Sequence, residues 1–304
     1  MLSSSNHLRA VLQAFFVTLL WSTSWVLIKI GLEDIPALTF AGLRYFLAFL
    51  MLLLIARRSG ALLPINNFDR RDWLQLGLLG LIFYAVTQGS IFLALDYLPS
   101  VTLSLLLNFT TAAVALLGIA LIAEYPSRWQ WIGMAIYLFG VLVYFFPIEL
   151  PSREVIGLLV GFVTVFANAG SAVMGRSINR SGKLSALTIT VVSMGIGSTV
   201  LLLTGIIVQG MPALSIQSGL IIIWLAVVNT AFAFTLWNHT LRQLSAVESS
   251  VINNTMLIQI AVLAWVFLDE TITRQEIMGM ILAAIGTLIV QLSAVRATSE
   301  EKSA

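Results

Sequence analysis

Apolar segments about twenty residues long recur along the whole chain, and polar or charged breaks separate them. A helix needs about 20 apolar residues to cross a hydrocarbon core about 30 Å thick. Windows of that length give ten segments, at residues 10–30, 37–56, 73–95, 100–122, 129–147, 155–176, 185–208, 218–240, 247–268 and 275–293. The sequence therefore predicts an all-α integral membrane protein with ten transmembrane helices.

Composition excludes the soluble classes of protein. Only 10% of the 304 residues are charged and 59% are hydrophobic, whereas an ordinary soluble domain has about 25% charged residues. A formal net charge of +2 without a basic stripe argues against a nucleic-acid partner. With no cysteine, disulfides and thiolate metal sites are excluded. We expect no cofactor or metal, a small-molecule substrate and the lipid bilayer as partners, and a monomer or homodimer.

Basic residues are distributed unequally between the loops. If the N-terminus is cytoplasmic, twelve of the sixteen Lys and Arg residues lie on the cytoplasmic side, and only Arg153 and Arg274 lie outside. Lys29 and Arg44 complete the sixteen, inside or at the edge of predicted spans. The positive-inside rule therefore predicts that the N- and C-termini are both cytoplasmic.

The second half of the chain repeats the first at a constant offset of 146 residues. Residues 94–142 align without a gap on 240–288, and thirteen of the 49 positions are identical. The two predicted repeats cover residues 1–147 and 148–304. Because each holds five helices, an odd number, the second must enter the membrane from the opposite side. Inverted repeats are typical of secondary transporters, whose substrate site lies near the midplane of the bilayer.

Short motifs in both halves resemble a known family. Helix 1 carries Trp21-Ser22-Thr23-Ser24-Trp25, helix 2 carries Pro36 and Arg44, and each half ends in an acidic residue followed by two glycines. Those endings are Glu124 with Gly133 and Gly140, and Glu270 with Gly279 and Gly286. Each half resembles an EamA domain of the drug/metabolite transporter superfamily. The resemblance implies a ten-helix inner-membrane carrier with a central cavity, often an exporter of amino acids or related metabolites.

Polar residues in the first two predicted helices are candidates for binding substrate. Trp21, Trp25 and Lys29 recur at a spacing of four residues and share one helix face. In one interpretation they form a surface that binds substrate, through the Trp rings and the Lys29 charge. In the other, the Trp side chains pack in a helix interface and Lys29 snorkels to the membrane surface. Arg44 lies more than two turns into helix 2, where a guanidinium must find partners. It serves substrate binding or gating, or else a structural ion pair. The second half lacks counterparts of Trp21, Trp25 and Arg44.

Further polar side chains lie near the estimated midplane. The substrate-binding candidates are Tyr84, Gln88, Asn108, Asn168, Asn229, Asn254 and Gln259. Amides at this depth bind polar substrate groups, or join helices by hydrogen bonds. The gate or structural candidates are Glu124, Glu270 and Trp237. Each of the two glutamates precedes an arginine by four residues, a spacing that suits local pairing or helix capping.

The predicted spans hold no deep Asp or Glu, and this absence bears on function. Proton relays in carriers usually need such a group, so facilitated or exchange transport is favoured over tight proton coupling. Buried positive charge favours substrates that bear a carboxylate. Together with what the resemblance implies, this predicts a carrier that exports amino acids or related carboxylate-bearing compounds by alternating access. The alternatives are a multidrug or organic-cation exporter and an integral membrane enzyme, for which the sequence offers no nucleophile–base set, metal cluster or phosphate loop.

Overall fold

A computed structural model describes residues 4–58, 68–122, 127–146, 152–180, 183–240, 243–244 and 246–301. Within these ranges every regular element is helical. The first α-helices are α1 (Ser4–Gly31), α2 (Ala37–Arg58), α3 (Arg70–Gly80), α4 (Gln88–Tyr97), α5 (Ser100–Leu107), α6 (Phe109–Ile122) and α7 (Arg128–Phe145). They are followed by α8 (Ser152–Arg180), α9 (Ala186–Gln209), α10 (Ile216–Ala226), α11 (Ala233–Thr240), α12 (Ala246–Phe267) and α13 (Arg274–Glu301).

Six helical stretches of the described chain are long and apolar enough to cross a membrane. They are His7–Gly31, Ala37–Arg58, Arg70–Tyr97, Ser152–Asn179, Ala186–Gln209 and Ile216–Trp237. These coincide with six of the ten predicted spans. The other four predicted spans coincide with α5–α6, α7, α12 and α13. Two shorter apolar helices lie in these regions, Ser100–Val114 in α5–α6 and Val251–Phe267 in α12. An all-helical, multi-pass membrane fold is thereby confirmed.

The chain forms two compact units, and each takes segments from both halves of the sequence. The first unit comprises Met1–Val26, Pro99–Ser152 and Phe232–Ala304, and the second comprises Leu27–Leu98 and Arg153–Ala231. Because the boundary at residues 26–27 lies inside α1, this long helix contributes to both units.

The second unit contains a closely packed antiparallel pair, α2 and α9. A Cβ atom added to Gly42 would lie 2.5 Å from the Cα atom of Leu202, and one added to Gly205 would lie 2.6 Å from the backbone nitrogen of Thr39. As the residue number rises along α2, it falls along α9, so the two helices run in opposite directions. Small residues of this kind let membrane helices approach to backbone contact.

The first unit contains the equivalent pair, α7 and α13. A Cβ atom on Gly140 would lie 2.7 Å from the carbonyl oxygen of Gly279, and one on Gly133 would lie 2.7 Å from that of Gly286. These are the four glycines that end the two sequence halves. Their spacing of seven residues places each pair on one helix face, and the structure shows those faces in backbone contact.

Two long helical stretches change locally from α- to π-helix. The π-helical segments are Leu81–Thr87, between α3 and α4, and Val227–Phe232, between α10 and α11. Their first residues are 146 positions apart, the same offset as the sequence repeat. In each segment a threonine hydroxyl donates to the carbonyl five residues earlier, Thr87 to Ile82 and Thr230 to Leu225, both at 2.8 Å. Sequence periodicity did not reveal these segments. Short π-helical segments inside α-helices occur frequently at functional sites.

Candidate functional site

The guanidinium of Arg44 is buried in the second unit, with only 6% of the residue exposed. Its Nε and Nη2 atoms both donate to the hydroxyl oxygen of Thr230, each at 3.3 Å. The guanidinium carbon lies 5.1 Å from the ring centre of Tyr45 and 5.9 Å from that of Phe92. Among the described residues, no carboxylate forms an ion pair with Arg44. A buried charge thus rests on one neutral hydroxyl and two ring faces.

The neighbouring Tyr45 joins α2 to the first π-helical segment. Its hydroxyl donates to the Oε1 atom of Gln88 at 2.6 Å, and its ring centre lies 5.9 Å from that of Tyr84. Arg44 and Tyr45 therefore contact both π-helical segments, the first through Tyr84 and the second through Thr230. The structure brings together three predicted candidates, Arg44, Tyr84 and Gln88. Asn229, next to Thr230, is fully buried.

An aromatic cluster lies in the first unit, formed by Trp21, Phe234 and Trp237. The ring centre of Trp21 lies 5.3 Å from each of the other two, at interplanar angles of 55° and 52°. The indole nitrogen of Trp21 is buried, and no described residue accepts a hydrogen bond from it. Trp25 is partly buried and, in the described chain, takes part in neither a ring pair nor a side-chain hydrogen bond.

The amide of Gln259 joins α12 to α1. Its Nε2 atom donates to the hydroxyls of Thr18 at 3.2 Å and Thr255 at 2.9 Å, and its Oε1 atom accepts from Ser22 at 2.9 Å. Both donor hydrogens of the amide are engaged by protein groups. Of the two interpretations offered by the sequence, the geometry of Gln259 fits the hydrogen bond between helices.

Lys29 binds the end of a helix. Its ammonium group donates to the carbonyl oxygens of Leu95 at 2.5 Å and Leu98 at 2.7 Å, where α4 ends. A cation is favourable there, because the last carbonyls of a helix lack intrahelical partners and carry partial negative charge. The sequence predicted either substrate binding or snorkelling for Lys29, and not this capping role.

The repeat-related pair Asn108 and Asn254 differs in structure. Asn108 separates α5 from α6, and its side-chain nitrogen donates to the carbonyl oxygen of Ser104 at 2.9 Å. Asn254 is partly buried inside the unbroken helix α12. Asn168 is partly buried in α8, where its backbone carbonyl accepts from the Ser171 hydroxyl at 2.8 Å.

Glu270 caps a helix that is distant in sequence. Its two carboxylate oxygens accept from the backbone N–H groups of Ser100 at 2.9 Å and Val101 at 3.4 Å, at the start of α5. Within the described part of the chain, the ion pairs do not include one between Glu270 and Arg274. Capping, rather than local pairing, is therefore what the structure shows. Its repeat counterpart Glu124 lies outside the described residues.

A charged cluster lies where α3 begins, in the second unit. The ammonium group of Lys183 donates to the carboxylates of Asp69 at 2.8 Å and Asp72 at 2.5 Å. The hydrogen bond from Lys183 lowers the pKa of Asp69 to about 2, and the bond to Asp69 raises the pKa of Lys183. Asp69 and Asp72 also form a reciprocal capping box at the start of α3.

Sequence reasoning missed Tyr45, Phe92 and Thr230 at the candidate site. Tyr45 and Thr230 adjoin residues that the sequence had singled out, Arg44 and Asn229, so adjacency was the available signal. Phe92 had none, because one more phenylalanine in an apolar span is unremarkable in composition.

A family model described as the EamA-like transporter family matches this chain twice, over residues 8–146 and 155–292. The chain belongs to the EamA-like transporter family. The family and its similar relatives are named as transporters, in agreement with the drug/metabolite transporter superfamily that the motifs indicated.

Individual relatives of this EamA-family chain have low sequence identity to it, but their alignments cover most of its length. The "Uncharacterized transporter YoaV" of Bacillus subtilis is 25% identical over 289 residues, covering 91% of this chain and 95% of the relative. Proteins named "Probable amino-acid metabolite efflux pump" in Escherichia coli and Salmonella typhimurium are 26% and 25% identical, each over 91% of this chain and 92% of the relative. One solved crystal structure matches with a TM-score of 0.66 and 17% identity, covering 93% of this chain and 97% of that one. At this level of identity, the likeness shows a shared fold and nothing more specific.

Proposed function

We propose that this EamA-family transporter is a secondary carrier that exports amino acids or related carboxylate-bearing metabolites across the inner membrane by alternating access. The observation that carries the substrate class is the buried guanidinium of Arg44. Its only polar contact among the described residues is the hydroxyl of Thr230. A guanidinium binds a carboxylate through two parallel hydrogen bonds, which is a stronger interaction than two long bonds to one neutral oxygen.

The relatives named as amino-acid metabolite efflux pumps support the same substrate class. The organic-cation alternative would require a carboxylate within the spans. In the described membrane helices, the acidic residues stand in the first or last turns, as Asp72 and Asp96 do. A positively charged site without a nearby acid disfavours cationic substrates.

We further propose two inverted five-helix repeats, residues 1–147 and 148–304, with both termini in the cytoplasm. Two family matches, one in each half, support this division. The antiparallel pairs α2–α9 and α7–α13 support it as well, because each joins helices that hold the same position in the two halves. An inverted repeat makes equivalent helices antiparallel.

The substrate proposal is tested with purified protein in liposomes that are loaded with labelled amino acids and organic acids. We expect efflux by the wild type, and Arg44→Gln to reduce the initial rate at least about tenfold, because truncating a partner of a buried charge pair costs more than 2 kcal/mol. Arg44→Lys keeps the charge but loses the fork geometry, so its rate should be intermediate. Normal efflux by properly inserted Arg44→Gln protein contradicts the proposal.

The topology is tested by cysteine labelling, for which the natural chain supplies a cysteine-free background. Arg71→Cys lies on the predicted cytoplasmic side and Gln217→Cys on the predicted outer side, and both residues are exposed. An impermeant maleimide should label Gln217→Cys in intact cells, and Arg71→Cys only after permeabilisation. The reverse pattern contradicts the proposed orientation.

A further inference from the structure

We propose that the indole N–H of Trp21 is a specificity-determining hydrogen-bond donor, and that it selects substrates whose apolar ring carries an acceptor atom. This inference rests on the proposed carrier function and deepens it. Trp21 would distinguish among the metabolites that the carrier exports by the chemistry of their side group.

The first observation is the state of the donor itself. The Nε1 atom of Trp21 is buried, and the described residues offer it no hydrogen-bond acceptor. Its ring neighbours are Phe234 and Trp237, whose rings are apolar surfaces. Buried polar groups in native proteins nearly always have partners, and an exception calls for a specific reason, of which a functional role is one.

The second observation is that the adjacent polar groups on α1 are satisfied. Thr18 and Ser22, on either side of Trp21 along the helix, are both hydrogen bonded to the amide of Gln259. Acceptors are therefore present in this part of the unit and are used by the neighbours of Trp21. The indole N–H remains as the donor that the described protein groups leave unused.

The third observation concerns access. Phe234, one of the three rings of the aromatic cluster, is 44% exposed and so can be reached from outside the protein. Tilted aromatic faces 5.3 Å apart suit a planar apolar group, which packs edge to face or offset against them.

The chemistry of the donor defines the ligand. An indole nitrogen donates one hydrogen bond and accepts none, so a ring nitrogen, ether or phenol oxygen complements it and a bare phenyl ring does not. A site built to hydrogen-bond a substrate group discriminates strongly against an analogue that lacks the group.

The test uses two amino acids of nearly equal size in liposomes containing the purified full-length protein. L-3-(4-pyridyl)alanine differs from L-phenylalanine by one ring nitrogen, which accepts a hydrogen bond. We expect the wild type to carry the pyridyl compound with about tenfold higher efficiency, the equivalent of one hydrogen bond. Trp21→Phe, which keeps an aromatic ring but removes the donor, should carry both compounds equally.

Trp237→Phe is the matched control, because it makes the same truncation in the same cluster and leaves the Trp21 donor in place. It should preserve the preference for the pyridyl compound. The thermal unfolding midpoint in detergent gives a second readout. Trp21→Phe should unfold no earlier than Trp237→Phe, because the truncation removes an unsatisfied buried donor along with ring surface.

The outcomes separate this inference from the proposed function. If the wild type carries both compounds equally, or if Trp21→Phe keeps the preference, the role of the indole is overturned. Carriage of other carboxylate-bearing metabolites but of neither test compound overturns the inference and leaves the proposed function standing. If the wild type moves no carboxylate-bearing compound while correctly inserted, the proposed function itself fails.

Discussion

The carboxylate of Glu270 accepts a hydrogen bond at 2.9 Å from the backbone N–H of Ser100, a residue 170 positions earlier in the chain. Asp269, just before it, has a φ of 53°, a left-handed conformation that a non-glycine residue adopts rarely. The turn between α12 and α13 therefore has the shape that brings Glu270 to the start of α5. A negative charge is favourable there, because the first N–H groups of a helix are otherwise unpaired.

We expect Glu270→Ala to lower the free energy of unfolding by about 0.5–2 kcal/mol, the usual cost of losing a helix cap. Glu270→Gln keeps one acceptor oxygen and should lose less. Chemical denaturation of the purified protein in detergent measures both. Equal stability of Glu270→Ala and wild type would show that the cap contributes nothing.

Replacing Gly279 by alanine should separate α7 from α13. The added Cβ atom would lie 2.6 Å from the carbonyl oxygen of Gly140 and 2.7 Å from the backbone nitrogen of Tyr144. Backbone atoms yield less readily than side chains, so we expect a loss of about 1–3 kcal/mol in unfolding free energy. Gly170→Ala, inside α8 with nothing within 4 Å of its added Cβ atom, is the control and should be neutral or slightly stabilising. Similar stability of the two variants contradicts the close packing.

Gln259→Leu should impair stability and spare substrate affinity. The substitution removes three hydrogen bonds to hydroxyls of α1 and α12, so we expect a loss of about 1–3 kcal/mol. The KM for transport in liposomes should change less than about twofold, since a residue with only a structural role does not contribute to binding. A tenfold rise in KM at unchanged stability would instead identify Gln259 as a substrate ligand.

The interaction of Lys183 with Asp69 should be independent of pH over a wide range. The folded-state pKa of Asp69, about 2, lies below the ordinary value near 3.9, so its contribution to stability is complete above about pH 5 and disappears as the pH falls towards 2. The raised pKa of Lys183 makes its contribution complete below about pH 9.

The difference in unfolding midpoint between wild type and Lys183→Met measures this contribution. It should be constant from pH 5 to 9 and shrink below about pH 4. Lys302→Met, a lysine far along the chain in the C-terminal tail, controls for the general effect of removing one positive charge. A midpoint difference that changes between pH 5 and 9 would assign the effect to another titrating group.

The sequence predicted much of the fold because the bilayer imposes a simple rule. Spans such as 37–56 and 185–208 must be apolar over the full membrane thickness, and that pattern is visible without tertiary information. The glycine pairs that end each half were equally visible, since backbone contact requires small residues at a regular spacing. Which helix Lys29 and Glu270 each cap was hidden, because each side chain binds backbone atoms of residues that lie far away in sequence.

By itself the sequence determined that this is a helical membrane protein of the EamA-like type and that Arg44 is an unusual buried charge. Hydropathy and motif spacing are local properties, so they can be read along the chain. Only the tertiary structure decided what each polar residue contacts. Gln259 proved to join helices, and Lys29 to cap one. Arg44 donates to Thr230, and Trp21 lies among aromatic rings. The sequence could not give these contacts, because a contact depends on the positions of two atoms in space.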